Sequence, residues 1–379
     1  MKLSTYKIWL AALGALMAAG FFSYLRQLDF GLGITGLSRD VTWGLYIAQF
    51  TFLVGVAASA VMVVLPYYLH DCKEFARITV FGEFLAIAAV TMCMLFVMVD
   101  LGQPARVLNV LLYPSPRSIM FWDVLALSGY LILNIVIAFV TLRAEREEVA
   151  PPGWIRPVIL LSIPWAVSIH TVTAFLYSGL AGRPLWLTAL LAPRFLASAF
   201  ASGPALLILL CMILGKVTRS PAPRAALDKL AIIVTYAMII AVFFLLMEIF
   251  TVFYGQIPEH TASWRYMLGG LDGRWGLAPW IWCSMILAAG SLVLLLAPRY
   301  RRRPKWLAVA CGMVFLSLWL DKGIGLIVAG FVPSPLGVVT EYAPSFPEIL
   351  ISLGIWAVGA LILTILYRTA VLLRREAVF

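Results

Sequence analysis

The sequence predicts an all-α integral membrane protein of about ten transmembrane helices, built as two parallel-repeat four-helix bundles flanked by two further helices. Three observations carry this: the composition, ten apolar runs, and a correspondence between the first and second halves. Hydrophobic residues make up 63% of the 379-residue chain and charged residues 12%. Globular proteins carry roughly 25% charged residues. The formal net charge of +10 would suggest nucleic acid in a soluble protein. Here the basic residues lie in short loops between apolar runs, where they set membrane orientation. No nucleic-acid partner is expected; the lipid bilayer is.

A helix needs about 20 apolar residues to cross a bilayer. Runs of this kind lie at 7–25, 42–69, 79–100, 119–142, 155–180, 195–217, 228–254, 277–297, 305–329 and 348–372. The first follows Lys2 and Lys7 as a signal peptide would, but its length and the nine spans behind it favour an uncleaved helix. One side holds both termini and 19 Lys and Arg residues, Lys2, Arg77, Arg219, Arg374 and Arg375 among them. The other holds eight: Arg26, Arg39, Arg106, Arg117, Arg183, Arg194, Arg265 and Arg274. The positive-inside rule therefore places both termini in the cytoplasm, with the chain in the inner (cytoplasmic) membrane. The five outward loops mix Gly, Pro, aromatic and charged residues, as in "DLGQPARVLNVLLYPSPRS", and suggest a structured platform.

The chain is expected to form one membrane domain, 1–379. Residues 42–180 form the first bundle, 195–330 the second, and 7–25 and 348–372 the flanking helices. "VDLGQPAR" at the end of span 3 corresponds to "VFYGQIPEH" at the end of span 7, and "MFWDVLAL" to "LAPWIWCS". His170 precedes Gly179 by nine residues, and Asp321 precedes Gly330 by the same nine. Each copy holds an even number of spans, so the repeat is parallel, unlike the inverted repeats of many transporters.

A charged side chain inside a bilayer is costly and is a functional candidate by default. In or at the ends of spans lie Glu83, Asp100, Asp123, His170, Glu248, Asp321 and Lys322, all but Glu83 toward the outward side. His170 shares a helix face with Thr173 and Tyr177 at i+3 and i+7, and an ordinary imidazole suits proton exchange near neutral pH. Each also has a plainer reading. Asp321 and Lys322 neutralise each other locally; Asp100 and Asp123 sit at interfacial helix ends; Glu83 reaches inward solvent; His170 is a packed, hydrogen-bonded histidine. Five scattered cysteines without a C-x-x-C pair argue against an iron–sulfur cluster, zinc site or c-type haem in this chain. One histidine within the spans excludes two stacked bis-histidine haems, leaving at most one haem with a methionine or open axial position. What remains is proton-coupled chemistry, with a quinone or a translocated ion.

The runs "GITGLSRDVTWGLYIAQFTFLVGVAASAVMVVLPYYLHD", "SIHTVTAFLYSGLAGRPLWLTALLAPRFLASAFASGPAL" and "FYGQIPEHTASWRYMLGG" resemble the NrfD/polysulfide-reductase (PsrC) membrane-subunit family. The resemblance spans about residues 30–345 and looks closest to its ten-helix DsrP/HmcC branch, found in DsrMKJOP-type complexes. It implies a subunit that exchanges electrons between quinol, menaquinone by expectation, and a docked ferredoxin-like iron–sulfur protein, with no haem or cluster of its own. In that branch the iron–sulfur partner is periplasmic (DsrO-like) and works with a multihaem cytochrome c (DsrJ-like). A haem b membrane subunit and a cytoplasmic iron–sulfur subunit (DsrM- and DsrK-like) complete the set, in anaerobic sulfate or sulfur metabolism, with proton translocation a further implication.

His170 matches the family's fifth-span histidine. The expected quinone contacts are His170, Thr173, Tyr177, Trp122, Asp123, Asp100, Gln103 and Arg106. Catalytic roles fall to His170, Asp123, Glu248, Asp321 and Lys322, and a proton path to Glu83, Glu248 and Asp321. The alternative is an ion or small-molecule transporter with parallel repeats, whose acids bind the cation; another is a membrane anchor with a vestigial cavity. The charge bias yields a direct expectation. A reporter fused after Phe379 is active only if its working compartment is the cytoplasm; a periplasmic signal overturns the topology.

Overall fold

The computed structural model describes residues 3–70, 72–76, 78–218 and 222–376. Lys2, Arg77 and Arg219, counted among the inward charges, lie outside them, as do the side chains of Arg374 and Arg375. Among the described residues ten helices are long and apolar enough to cross a membrane. They are α1 (Leu3–Phe30), α2 (Leu45–Leu69), α3 (Thr79–Asp100), α4 (Ile119–Arg146), α5 (Ile155–Ser178), α6 (Leu191–Thr218), α7 (Arg224–Gly255), α8 (Ala278–Leu296), α9 (Pro304–Ala329) and α10 (Phe346–Glu376). Several run past the apolar stretches that announce them. Polar side chains are tolerated at the interface, so helical hydrogen bonding continues beyond the hydrocarbon.

Helices α2 to α5 pack in sequence, α2 also touching α5; α6 to α9 do likewise, α9 touching α6. The two groups meet where α2 packs against α6 and α9 and α5 against α6. Helix α1 runs along α10, and α10 leans on α3. In lipid, helices associate through close packing and hydrogen bonds rather than a hydrophobic drive, which favours small residues at crossings. The α1–α10 crossing shows it. A Cβ on Gly20 would stand 2.8 Å from the Gly354 Cα, and one on Gly354 3.0 Å from the Gly20 Cα.

Two of the ten helices depart from the regular spiral. The run 42–69 reads as one helix, but α2 is two, Leu45–Ala57 and Val61–Leu69, joined by a turn. At the turn the Ala58 and Ser59 amides bond the carbonyls three residues back, Gly55 and Val56. The Ser59 hydroxyl donates to the Gly82 carbonyl of α3 at 3.2 Å. Gly203 of α6 lies so close that a Cβ there would sit 2.9 Å from the Ser59 amide. In α9, residues Trp319–Gly325 form a π-helical turn. Such turns insert a residue into the helical register and re-aim the side chains around them, often at functional sites.

The face away from the chain termini carries the longer connections, called here the loop-rich face. It includes the helix Pro258–Gly269, which buries Trp264, Tyr266 and Met267, and an isolated bridge between Leu271 and Arg274. Trp43, Tyr177, Trp186, Phe195 and Phe331 stack near it, with ring centroids 5.3–5.9 Å apart. This aromatic plug joins the ends of α5, α6 and α9 to the segment before α2.

Candidate functional site

The stripe on α5 is fully buried: His170 is 1% exposed, Thr173 and Tyr177 not at all. Thr173 Oγ1 lies 2.6 Å from Asp123 Oδ1 on α4 and 2.8 Å from the Ile169 carbonyl. Its single proton serves one of these at a time, so a hydroxyl turned to Ile169 keeps the Asp123 bond only if Asp123 brings a proton. The Tyr177 hydroxyl meets Thr51 Oγ1 of α2, and Thr51 bonds the Ile47 carbonyl at 2.7 Å. Among the described residues neither His170 ring nitrogen has a hydrogen-bond partner. A buried polar group without a partner calls for an explanation.

In the second half the sequence misplaces one residue. Arg194 is counted above with the outward loops, yet α6 begins at Leu191 and Arg194 is buried at 6% exposure. Its Nη1 lies 2.5 Å from Glu248 Oε2 of α7, and its Nη2 2.7 and 2.9 Å from the two oxygens of Asp321. The planar guanidinium fork suits such bidentate pairing. The local Asp321–Lys322 pairing, the plainer reading above, does not form: Asp321 is taken by Arg194. Lys322 Nζ instead sits 4.3 Å from the centroid of the Phe195 ring and has no hydrogen-bond partner among the described residues. It reaches toward α2, where a Cβ on Gly55 would lie 3.2 Å from Nζ and 3.3 Å from Ser202 Oγ.

The structure leaves other candidates apart. Trp122 is 46% exposed and bonds the Pro116 carbonyl at 2.8 Å. Gln103 and Arg106 are exposed at the loop-rich face. Asp100 ends α3 with a buried Oδ1 that has no partner among the described residues. Glu83 does not reach solvent: it is 1% exposed, and its Oε2 has no partner among the described residues.

None of the candidates named from sequence lines a slot of about 590 Å³ between α2, α8, α9 and α10. Its walls include Gln49, Trp280, Phe315, Trp319, Ser352, Leu353 and Trp356. Trp280, Leu316 and Leu353 are 44–55% exposed and mark a mouth on the lipid-facing side. Gln49 and Thr51 project from α2 in opposite directions, so α2 separates this slot from the His170 side.

The end of α2 above the slot is capped from α10. Glu348 Oε2 accepts from the Gly36 amide at 3.0 Å, and Oε1 from the Leu45 amide at 3.2 Å. Tyr342 accepts from the Leu45 amide at 2.7 Å and donates to Glu348 Oε1. Burial, and the Glu348 carboxylate beside it, push the Tyr342 phenol well above its ordinary range, so it remains a donor. Ser345 and Glu348 also bond each other's backbone amide, at 3.3 and 3.4 Å. That is a capping box, legible as "SFPE" before an apolar run. Arg194 and Gln49 offered only a lone polar residue beside or within an apolar run.

Residues 33–333 match the family described as polysulphide reductase, NrfD. The chain belongs to that family. A putative dimethyl sulfoxide reductase membrane subunit of Halobacterium salinarum is 26% identical, across 93% of this chain and 88% of its own length. An Hdr-like menaquinol oxidoreductase integral membrane subunit of Archaeoglobus fulgidus is also 26% identical, across 97% and 93%. A menaquinone reductase integral membrane subunit of Nitratidesulfovibrio vulgaris is 22% identical, across 99% and 94%. The matched stretch stops before Tyr342, so Glu348 and all of α10 lie beyond it.

The buried cluster yields a stability test. Removing one partner of a buried ion pair typically costs 3–5 kcal/mol. Arg194→Leu is therefore expected to lower the unfolding temperature in detergent sharply. Adding Glu248→Gln and Asp321→Asn should recover much of the loss. An Arg194→Leu protein with unchanged melting would show that the three charges are not energetically coupled.

Proposed function

We propose that the chain is the quinone-reactive membrane subunit of a respiratory electron-transfer complex. The observation that carries this is the buried proton-exchanging set of the loop-rich half, Asp123 bonded to Thr173 one turn from His170, in a family whose relatives include menaquinol oxidoreductase and menaquinone reductase subunits. Oxidising a quinol releases two electrons and two protons, so the protein must take up protons near the bound quinol and hand electrons onward. Asp123 accepts from the Thr173 hydroxyl in a short hydrogen bond, which orients the carboxyl; the carboxyl itself is the member of the pair that takes up and releases a proton. His170, with both ring nitrogens unpartnered, is free to accept a proton at one and release it at the other. Lys322 is placed on the same interior side. The Arg194–Glu248–Asp321 group sets two carboxylates against one guanidinium and so carries one unbalanced negative charge when all three are ionised.

Electrons leave, in this reading, toward an iron–sulfur partner at the loop-rich face, periplasmic by the charge bias. The finer assignments extend the same proposal. They are menaquinone as the quinone, a multihaem cytochrome c and a haem b module with a cytoplasmic iron–sulfur subunit as further partners, a DsrP-like place in sulfate or sulfur respiration, and coupled proton movement. The packing order of α2–α5 and α6–α9 supports reading the fold as a duplicated bundle. The broken helices α2 and α9 beside buried acids favour the rival, a cation transporter. The two differ in what the protein needs: a transporter moves its ion alone in liposomes, whereas a quinone-reactive subunit works only with its redox partners.

The test uses the intact complex. His170→Gln keeps the size and hydrogen-bonding ability of the side chain but removes its basicity. Assembly should persist while stopped-flow reduction of the partner's clusters by a quinol analogue slows by roughly 10²–10⁴-fold, the usual range for a lost acid–base group. An assembled variant with wild-type rates would make His170 a packing residue.

A further inference from the structure

The connection between α8 and α9, on the face that holds the chain termini, reads "APRYRRRPKW". Arg299, Arg301, Arg302, Arg303 and Lys305 lie within it, and no Asp or Glu occurs between Asp272 and Asp321. Orientation in the membrane needs an excess of Lys and Arg on one side, not a loop free of acids. The other connections of this face pair their bases. Arg143 meets Glu147 at 2.8 Å, Arg224 meets Asp228 at 3.3 Å and Lys229 meets Glu74 at 3.1 Å. Among the described residues, none of the basic side chains of the α8–α9 connection forms an ion pair.

The connection is also held in shape. Pro298 opens a helical turn, Pro298–Arg301, and Pro304 opens α9, where a fixed φ and a missing amide suit the first helical position. Arg301 Nη1 donates to the Leu295 carbonyl at 3.0 Å, and Arg224 of α7 donates to the Arg302 carbonyl. The Tyr300 and Trp306 rings meet edge to face, their centroids 5.5 Å apart. Such aromatic side chains sit at the level of the lipid headgroups. Arg299, Arg302, Arg303 and Lys305 are left exposed around them. Like charges held this close repel one another, and only anions from outside the chain can offset that.

We propose that the α8–α9 connection binds the headgroup of an anionic phospholipid, in the leaflet on the side of the chain termini. Residues 297–303 are all that separate α8 from α9, and four of them form the helical turn, so the charges stay at the depth of the lipid phosphates. An acidic protein surface would have to enter the headgroup layer to meet them, whereas lipid is already there. A zwitterionic lipid carries an ammonium that offsets its own phosphate. An anionic lipid leaves its charge to the guanidinium groups, whose fork matches phosphate oxygens. Basic clusters at the end of a membrane helix attract anionic lipid in this way.

The experiment is native mass spectrometry of the full chain in detergent, titrated with dioleoyl phosphatidylglycerol or dioleoyl phosphatidylcholine. Each Lys or Arg near an anionic headgroup is worth about fivefold in affinity, so wild type should prefer phosphatidylglycerol by about a hundredfold. Arg302→Gln, Arg303→Gln and Lys305→Gln together should remove nearly all of that preference. The three side chains are exposed, so the unfolding temperature should not change. Arg302→Lys with Arg303→Lys keeps the charge and should keep most of the preference. Arg143→Gln, Arg146→Gln and Arg156→Gln, an equal loss of charge on the α4–α5 connection, should leave it intact. Equal affinity of the wild type for both lipids, or an undiminished preference in the α8–α9 triple variant, would overturn the proposal. An equal loss in the α4–α5 variant would overturn the site, since overall charge would then be responsible. A triple variant that keeps its lipid preference but no longer co-purifies with partner subunits would make the connection a protein contact instead.

Discussion

The first half of helix α2, Leu45–Ala57, is enclosed by protein on every side, and that enclosure constrains the rest of the structure. Every residue from Leu45 to Ala57 is buried, so nothing on this turn of the chain is left to lipid or water. A backbone in such a place must satisfy each polar group internally. The first amides of a helix have no partner of their own, and here Glu348 and Tyr342 supply one from another helix. The polar side chains of α2 are likewise claimed in pairs: Gln49 by two indoles, Thr51 by Tyr177 and the Ile47 carbonyl. Because α2 touches α3, α5, α6, α9 and α10, it ties both halves and the terminal helix into one body. It also divides the interior into an aromatic slot and the side that holds His170, Thr173 and Asp123.

The second constraint is charge. Taking a carboxylate out of water is expensive, and a single uncompensated one inside a bilayer is rare. Arg194 answers two at once, reaching Glu248 on α7 and Asp321 on α9. Around the π turn Trp319 faces the slot, Asp321 faces Arg194 and Lys322 faces α2, three directions within four residues.

The ten spans were legible because each is a long apolar run, and bilayer thickness alone sets that length. The stripe of His170, Thr173 and Tyr177 was legible too, since helical spacing puts the three on one face. The break in α2 was not, because it depends on Gly82 and Gly203 of other helices closing on Ser59. Arg194 looked like a loop residue because a sequence shows the cost of burying a charge but not a distant partner that offsets it. The slot was invisible for a similar reason: its walls come from four helices, and only their packing creates the space. Glu348 carried a readable capping signal with Ser345, yet its second task at the end of α2 is a tertiary fact.

The most direct measurement is an electron cryo-microscopy map of the intact complex in lipid with menaquinone added. The account predicts a planar density on the side of α2 that holds Asp123 and Thr173, within reach of His170. A map with no ring on the His170 side of α2, or with a cation held by Glu248 and Asp321 and no quinone, would contradict it.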